Sequence, residues 1–413
     1  MKYEKSKAFA HTLDSDDRLA KYRDEFLYPK NNRKNEIIYL AGNSLGLQPK
    51  KVIKHIKKEL SVWSERGVMG QEERWIKFHE RFAEQTANLV GALPTEVVIM
   101  NALTVNIHLL LISFYQPSKT KNKIIIEKDA FPSDHYAVQS QIKLHGFDTK
   151  NTLIELLPRA GEKILHHEDI ITSINEHKDE LALIYLGGVN YYTGQSFDLE
   201  KITKAGKEVG AMVGFNLAHS IGNVLLDLHK WDVDFSAWCT YKYLCAGPGS
   251  PSGVFIHKRH HKWKGPRLQG WWGHNKESRF EMPSVFNAID TSEGWQISNA
   301  PILGMAPLIA AMDIYNKAGM SSIREKGENM SSYMEYLIFH FIPSIKIITP
   351  EKRGCQLSLL VPNGKKVFKF ILDNGVVCDW REPDIIRIAP HPLYNTYVEI
   401  FEFVKILKKA VES

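Results

Sequence analysis

The chain has 413 residues, of which 44% are hydrophobic and 24% charged, and its formal net charge is +6 at pH 7. This length exceeds what one hydrophobic core usually organises, so we expect one large and one smaller domain. Acidic and basic residues alternate instead of forming basic blocks, which argues against a nucleic-acid-binding surface.

Cysteine usage and the N-terminus are typical of a cytoplasmic protein. The four cysteines form no C-x-x-C pair and have no histidine at zinc-ligand spacing, so we expect reduced thiols and no metal site. The first residues are charged and lack the apolar region of a signal peptide. No apolar run approaches the ~18 residues of a membrane span, so we expect no membrane partner.

The middle of the chain alternates short apolar runs with amphipathic stretches. The predicted strands cover residues 123–127, 181–186, 211–215, 235–239 and 253–257, with helices over 134–145 and 199–209. Strand, helix, strand in this order builds βαβ units and a mostly parallel sheet. Continuous apolar strands are typical of a sheet that is covered on both faces. We therefore predict an α/β fold.

The pattern changes near residue 300. An apolar helix is predicted over 300–315, followed by a charged helix, and a final helix over 397–411. Between them lie a strand over 356–361, a helix over 367–372 and a strand over 385–388. This mixture predicts a separate α+β domain. We expect three parts: residues 1–45 packing on the smaller domain, 46–300 as the large domain, and 301–413 as the smaller domain.

Lys242 is the first candidate for chemistry. It follows a predicted strand, stands between Tyr241 and Tyr243, and precedes the glycine-rich turn 246–250. A lysine in this position faces the cleft at the strand ends of an open α/β sheet. Taken alone the pattern is weak, because most lysines are solvated surface residues.

Three other segments add polar groups at helix starts and strand ends. Thr104 stands at the predicted start of a helix, where it either binds phosphate or is an ordinary N-cap. Phe131 follows a strand and is placed to stack on a planar ring, while Asp134 is either an acid partner or a helix cap. Asn216 ends a third strand, and His219 lies three residues later, where a histidine is more often structural.

Together these segments resemble one family, the kynureninases, which are pyridoxal-phosphate enzymes of fold type I in the aminotransferase superfamily. The resemblance runs from about Tyr39 to Tyr397. It is carried, in order, by residues 41–49, 101–106, 130–136, 192–195, 241–244, 270–274, 297–299, 387–390 and 392–395. It implies a large domain around a mostly parallel seven-stranded sheet and a smaller α+β C-terminal domain.

The resemblance also implies a reaction. Kynureninases hydrolyse the Cβ–Cγ bond of L-kynurenine or 3-hydroxy-L-kynurenine in tryptophan catabolism, the kynurenine pathway, and release an anthranilate and L-alanine. The cofactor ring delocalises the carbanion that forms when the α-proton leaves. Lys242 is then the expected acid and base for that proton, and Tyr241 the expected proton donor to the departing carbon framework.

The cofactor contacts that the resemblance implies map onto single residues. Lys242 matches the lysine that forms the Schiff base with pyridoxal phosphate. Leu103 and Thr104 match residues around its phosphate, and Tyr241 matches a tyrosine that bonds the phosphate. Phe131 matches the ring that stacks on the pyridine, and the same contact segment continues through Pro132, Ser133 and Asp134.

Further implied residues surround the cofactor and substrate. His219 matches a histidine near the cofactor. Trp271 and Asn299 match residues that the family draws from the neighbouring subunit, which implies a homodimer with shared active sites. Arg387 matches the arginine that holds the substrate α-carboxylate through a bidentate pair, and Asn43 lies in a substrate-side motif.

The sequence departs from the family pattern at Asn216, where the family has an aspartate that contacts the pyridine nitrogen. A negative charge there keeps the ring nitrogen protonated, and an amide does not supply that charge. Gly187 replaces a family serine, and Gln71 stands in a region with a substrate-side histidine in the family. Further changes surround Lys242 at Thr240, Cys245 and Pro248.

These departures leave three hypotheses open. The chain is a kynureninase in which another group, such as Asp134, compensates for Asn216. Alternatively, it is a homologue with altered pyridoxal-phosphate chemistry on a related aryl amino acid. The third hypothesis is a catalytically weakened copy that binds ligands without turnover.

Overall fold

The structure is a computed structural model that describes residues 2–30 and 36–413. The described residues form twelve α-helices: α1 (Lys7–Ser15), α2 (Val52–Arg66), α3 (Ala83–Val90), α4 (Leu103–Phe114), α5 (Pro132–Leu144), α6 (Thr149–Thr152), α7 (His167–Glu176), α8 (Leu199–Glu208), α9 (Ile302–Ala318), α10 (Met320–Phe341), α11 (Gly364–Asp373) and α12 (Tyr397–Glu412).

The same described residues form fifteen β-strands: β1 (Phe26–Leu27), β2 (Ile38–Tyr39), β3 (Gln48–Pro49), β4 (Val97–Met100), β5 (Lys123–Glu127), β6 (Leu153–Leu156), β7 (Leu181–Gly187), β8 (Met212–Asn216), β9 (Phe235–Trp238), β10 (Ser252–Ile256), β11 (Lys346–Ile347), β12 (Leu357–Leu360), β13 (Val376–Val377), β14 (Asp379–Arg381) and β15 (Ile385–Ile388).

A seven-stranded sheet forms the centre of the fold, in the order β4-β10-β9-β8-β7-β5-β6. Strands β9, β8, β7, β5 and β6 run parallel, whereas β10 is antiparallel to both of its neighbours. The predicted α/β class and mostly parallel sheet are thus confirmed. Two four-residue strands at the two edges of the sheet, β4 and β6, were not predicted from the sequence, and β6 carries Glu155.

Apolar side chains cover both faces of this sheet. Ile124 and Ile126 of β5 point into one buried cluster, with residues of α4 and α5. Ile125 points into the other, with residues of α7, α8 and α9. Since successive side chains of a strand face opposite sides, burial on both faces gives the continuous apolar runs seen in the sequence.

Four neighbouring strands of the sheet end at one edge. Going along β9, β8, β7 and β5, the residues at or just past their carboxyl ends are Lys242, Asn216, Gly187 and Glu127. Open α/β sheets bind ligands in the crevice outside these strand ends. The order of the strands therefore brings together residues that are far apart in the chain.

A second sheet, antiparallel and four-stranded in the order β11-β12-β15-β14, packs with α10, α11 and α12. The N-terminal helix α1 joins this cluster through Ala10, and Asp14 accepts hydrogen bonds from the backbone N–H groups of Tyr397 and Val398 at 2.6 and 3.0 Å. The buried residues of α9 pack in the core of the large sheet. The domain limits expected at residues 45 and 300 stay a prediction.

Within the ranges 2–30 and 36–413, no helix is both long enough and apolar enough to cross a membrane.

Candidate active site

A cavity of about 440 Å³ lies at the strand ends and reaches the second sheet. Eleven of the predicted site residues line it: Asn43, Leu103, Thr104, Phe131, Ser133, Asp134, Asn216, His219, Tyr241, Lys242 and Arg387. The structure thus gathers most of the predicted site around one space.

Lys242 lines this cavity with its amine close to a histidine ring. Its Nζ lies 2.9 Å from Nε2 of His219. Burial lowers the pKa of the lysine amine, and burial together with the nearby Lys242 charge lowers the pKa of His219 well below its ordinary value. His219 therefore stays neutral at physiological pH. A neutral imidazole accepts a hydrogen bond from the amine through its Nε2 lone pair.

The N-terminus of α4 forms another part of the wall. Ala102 is its N-cap residue, its side chain makes no cap hydrogen bond, and Leu103 and Thr104 follow in the first turn. The N-cap interpretation of Thr104 is therefore wrong, since the N-cap position lies two residues earlier, at Ala102. Free backbone N–H groups and the helix dipole make such a terminus a natural site for a phosphate.

The start of α5 lies across the cavity. Phe131 is the N-cap residue of this helix, its side chain is 43% exposed, and its ring meets the Tyr191 ring edge-on at 5.3 Å between centroids. Such exposure leaves one face of the ring available for stacking. Pro132 is the first helical residue and is absent from the cavity lining, while Ser133 lines it.

Asp134 and Asn216 form a hydrogen-bonded pair on the cavity wall. The Asn216 amide nitrogen lies 2.9 and 3.0 Å from the two carboxylate oxygens of Asp134, and the amide oxygen accepts from the Ala218 N–H at 3.0 Å. Burial raises the pKa of Asp134 to about 6, although the Asn216 hydrogen bond and the Lys242 charge lower it. Asp134 thus keeps a carboxylate in this wall at neutral pH.

Glu127 is a cavity residue that sequence reasoning missed. Its two carboxylate oxygens accept hydrogen bonds from the Gly187 backbone N–H at 2.7 Å and from the Asn190 amide at 2.5 Å. Burial raises its pKa to about 7. The signal was its position as the polar end of an apolar strand, the same pattern that pointed to Asn216.

Arg387 is buried in the wall that the second sheet supplies. It is 1% exposed, its Nη1 donates to the Tyr191 carbonyl at 2.6 Å, and its Nη2 donates to Ser44 Oγ at 3.3 Å and to the Asp379 carboxylate. Arg381 also lines the cavity and was missed, because it lies in a three-residue edge strand with a weak sequence pattern.

Asn43 is fully buried beside this group. Its amide nitrogen donates to Gln356 Oε1 at 2.8 Å, while its Oδ1 has no hydrogen-bond partner among the described residues. A buried amide oxygen without a partner is a natural acceptor for a bound ligand.

Three predicted residues lie away from this cavity within one chain. Gln71 is exposed and lines a separate groove that Trp63 and Trp75 also line. Trp271 is 47% exposed and donates its indole N–H to the Arg279 carbonyl at 3.0 Å, and Asn299 is exposed. A single chain does not bring these residues to Lys242.

The cavity fits the pyridoxal phosphate that the sequence implies. It offers an amine at Lys242, an uncapped helix N-terminus for the phosphate, and a carboxylate at Asp134. The Nδ1 atom of His219 is buried and has no partner among the described residues. These groups are the ones that an aldehyde, a phosphate and a ring nitrogen require.

Comparisons with known proteins agree on one family. A family model described as "Kynureninase C-terminal domain" matches residues 323–407. A kynureninase of Christiangramia forsetii is 48% identical over 100% of both chains, and one of Myxococcus xanthus is 48% identical over 98% of this chain and 97% of its own. The kynureninase of Rattus norvegicus is 43% identical over 97% of this chain and 92% of its own.

Solved structures with much lower identity share the fold. A cysteine desulfurase from Thermococcus onnurineus covers 95% of this chain and 98% of its own, with a TM-score of 0.77 and 18% identity. The desulfurase CsdA from Escherichia coli covers 96% and 98%, with a TM-score of 0.77 and 15% identity. At these identities the likeness shows the fold alone, and it agrees with the fold type I prediction.

Proposed function

The chain belongs to the kynureninase family, and we propose that it hydrolyses the Cβ–Cγ bond of L-kynurenine or 3-hydroxy-L-kynurenine with pyridoxal phosphate as cofactor. The products are an anthranilate and L-alanine. The observation that carries this proposal is the position of Lys242, whose amine lines one cavity together with the α4 N-terminus and Arg387.

The residues that would hold the cofactor lie on three sides of this cavity. Lys242 would bind its aldehyde carbon, and the first turn of α4, with Thr104, would bind its phosphate together with Tyr241. Phe131 would stack on the ring. When bound, the cofactor supplies an electron sink for the carbanion at the substrate α-carbon.

Asp134 would supply the negative charge at the ring nitrogen. In the family pattern an aspartate stands at position 216, and here the Asn216 amide instead donates to both oxygens of Asp134. An amide that donates two hydrogen bonds to a carboxylate favours its charged form. The pair thus keeps one negative charge in the wall while position 216 is neutral.

The chain's own groups would then bind and protonate the substrate. Arg387 would hold the α-carboxylate by charge-assisted hydrogen bonds. Lys242 has a lowered amine pKa, which favours the neutral form that accepts the α-proton. Burial raises the pKa of Tyr241, so its phenol remains protonated and serves as a proton donor to the departing carbon framework.

The protein would act as a homodimer with shared active sites. Large apolar side chains are exposed on two stretches: Trp63, Val68 and Met69, and Trp271, Phe280, Met282 and Val285. Apolar exposure of this extent is typical of a surface that another chain covers. A second copy that covers it would bring Trp271, Asn299 and Gln71 to its neighbour's cavity.

We expect this dimer to work in the cytoplasm, in tryptophan catabolism. Among the described residues, the four cysteines are all unpaired and buried, which suits a reducing compartment.

The test uses the cofactor-loaded protein with each of the two substrates and follows the fluorescence of the released anthranilate. Wild type and Lys204→Ala, which changes an exposed lysine of α8, should release it. Lys242→Ala should not. Borohydride reduction should fix the cofactor to the protein, and peptide mapping should then locate it on Lys242. A loaded wild type that releases no anthranilate would instead support altered chemistry or a non-catalytic copy.

A further inference from the structure

Asp379 contacts Arg387 at the place where a ligand carboxylate would bind. The two residues are directly opposite each other on the antiparallel strands β14 and β15. The Oδ2 atom of Asp379 accepts a hydrogen bond from Nη2 of Arg387 and another from Ser44 Oγ. Asp379 therefore holds the arginine as a carboxylate ligand would.

Arg381 also contacts this oxygen of Asp379. It lies two residues along β14, so both side chains face the same side of the strand. Its Nη2 lies 3.2 Å from Oδ2 of Asp379. Its side chain is 37% exposed, and its Nε is buried without a partner among the described residues. One carboxylate thus bridges two arginines at the cavity wall.

The donors of Arg387 are already partly used. Nη1 donates to the Tyr191 carbonyl at 2.6 Å, and Nη2 serves both Ser44 and Asp379. A bidentate pair with an incoming carboxylate requires two N–H groups of one guanidinium. A substrate carboxylate that binds Nη2 therefore competes with Asp379.

We propose that Asp379 occupies the substrate's carboxylate position on Arg387 in the free protein, and that Arg381 takes over Asp379 when a substrate carboxylate arrives. Two arginines and one aspartate carry a net charge of one positive, which one ligand carboxylate neutralises. Every buried charge then keeps a partner before and after binding. Arg381 and Asp379 are positioning residues here, and the inference rests on the proposed role of Arg387.

The exchange predicts opposite effects for the two residues. Arg381→Gln removes the cation that receives Asp379, so carboxylate binding should weaken by about tenfold to a hundredfold, the range of one charged hydrogen bond. Asp379→Asn removes the competing charge, so the free form becomes binding-competent more often and affinity should rise by about threefold or more. Arg381→Lys keeps the charge and should restore part of the loss.

The experiment measures binding to the cofactor-loaded protein by calorimetry. The probe is 4-(2-aminophenyl)-4-oxobutanoate, which keeps the aryl ketone and the carboxylate of kynurenine but has no α-amine and so does not react. Its primary amide is the uncharged control ligand. Arg159→Gln, which changes an exposed arginine outside the cavity lining, is the control variant. Cofactor absorbance and thermal unfolding confirm that each variant is loaded and folded.

The expected result is a carboxylate-to-amide affinity ratio that falls in Arg381→Gln, recovers partly in Arg381→Lys and rises in Asp379→Asn. A ratio that is unchanged in Arg381→Gln, or that falls in Asp379→Asn, overturns the exchange and makes Asp379 a fixed support of Arg387. If the variants show this pattern of affinity ratios but the wild type does not hydrolyse kynurenine, the proposed function is contradicted and the exchange is still supported.

Discussion

The side-chain amide of Asn216 donates to both carboxylate oxygens of Asp134, at 2.9 and 3.0 Å. The amide orientation is fixed because Asn216 Oδ1 accepts from the Ala218 backbone N–H at 3.0 Å. The neutral residue at position 216 therefore supports a charged neighbour. We therefore propose that Asp134 supplies the carboxylate that contacts the ring nitrogen of the cofactor.

Changing the charge at position 134 should affect kcat more than changing it at position 216. Asp134→Asn removes the carboxylate and should lower kcat by about a hundredfold or more, since a neutral pair no longer keeps the ring nitrogen protonated. Asn216→Asp should change kcat by less than about tenfold, because it adds a second carboxylate to a site that already has one. Steady-state kinetics on kynurenine at saturating cofactor measures both.

The exposed Asp129→Asn serves as the control for loss of a nearby carboxylate. The double variant Asp134→Asn with Asn216→Asp should recover part of the lost activity, since it moves the charge across the pair. If Asn216→Asp raises kcat sharply while Asp134→Asn has little effect, the ring-nitrogen partner belongs at position 216 and the enzyme is a weakened one.

Glu127 should make stability depend on pH. Its carboxyl titrates near its ordinary value of 4.5 when unfolded and at about 7 when folded, because burial disfavours its charge. Between these values the unfolded chain has lost the proton that the folded chain keeps, so stability falls as pH rises from 4.5 to about 7 and is level above. A shift of this size corresponds to about 3 kcal/mol.

Glu127→Gln should flatten that part of the profile. Asp134 contributes a similar fall between 3.8 and about 6 in both proteins, so the measured quantity is the difference between wild type and variant. Urea unfolding of the cofactor-free protein at several pH values provides it. The exposed Glu84→Gln should leave the profile unchanged. A Glu127→Gln profile that runs parallel to wild type from pH 4.5 to 7 contradicts the assignment.

Thr104 should matter for cofactor affinity more than for turnover. Thr104 lies in the first turn of α4 and lines the cavity, and Thr104→Val keeps the shape of the side chain while it removes the hydroxyl. A lost hydrogen bond to a charged group costs about 1.5–3 kcal/mol, so pyridoxal phosphate should bind about tenfold or more weakly. Absorbance titration of the cofactor-free protein checks this, with Thr120→Val as control. Equal affinities of wild type and Thr104→Val for pyridoxal phosphate would contradict phosphate binding by Thr104 at the α4 N-terminus.

Shared active sites should appear as complementation between two inactive variants. In a mixed dimer, Lys242→Ala from one chain and Asn299→Ala from the other would fall in the same shared site, which leaves the second site intact. Random reassortment of the two variants should therefore restore about a quarter of wild-type activity. Activity is assayed after joint unfolding and refolding. If the refolded mixture stays inactive, or if the Asn299→Ala homodimer alone shows wild-type activity, Asn299 does not serve a neighbouring site.

The strand pattern was sufficient to predict five of the seven strands of the large sheet, and hence that Lys242 and Asn216 lie at the same edge of it. It did not predict that the Asn216 amide turns toward Asp134, because that orientation depends on the Ala218 backbone. Arg381 was missed because its link to Arg387 runs through Asp379, which lies opposite Arg387 in the strand register, and local sequence does not show that register.

The N-cap position of α4, at Ala102, was also not predicted. Thr104, two positions later, is of a residue type that commonly occupies the N-cap. In the structure Ala102 is the N-cap, and Asn101 before it has a φ of 48°. Asparagine tolerates this left-handed conformation better than most residues do, and its amide donates to Asn106 at 3.0 Å. Turn geometry of this kind is set by contacts and not by residue type alone.

The central claim is hydrolysis of a carbon–carbon bond, and product analysis tests it most directly. Cofactor-loaded wild type is incubated with L-kynurenine, and in parallel with its 3-hydroxy form, and both products are quantified by chromatography. We predict equal molar amounts of an anthranilate and L-alanine from at least one substrate, and none with Lys242→Ala. A loaded, folded protein that yields neither product from either substrate contradicts the account.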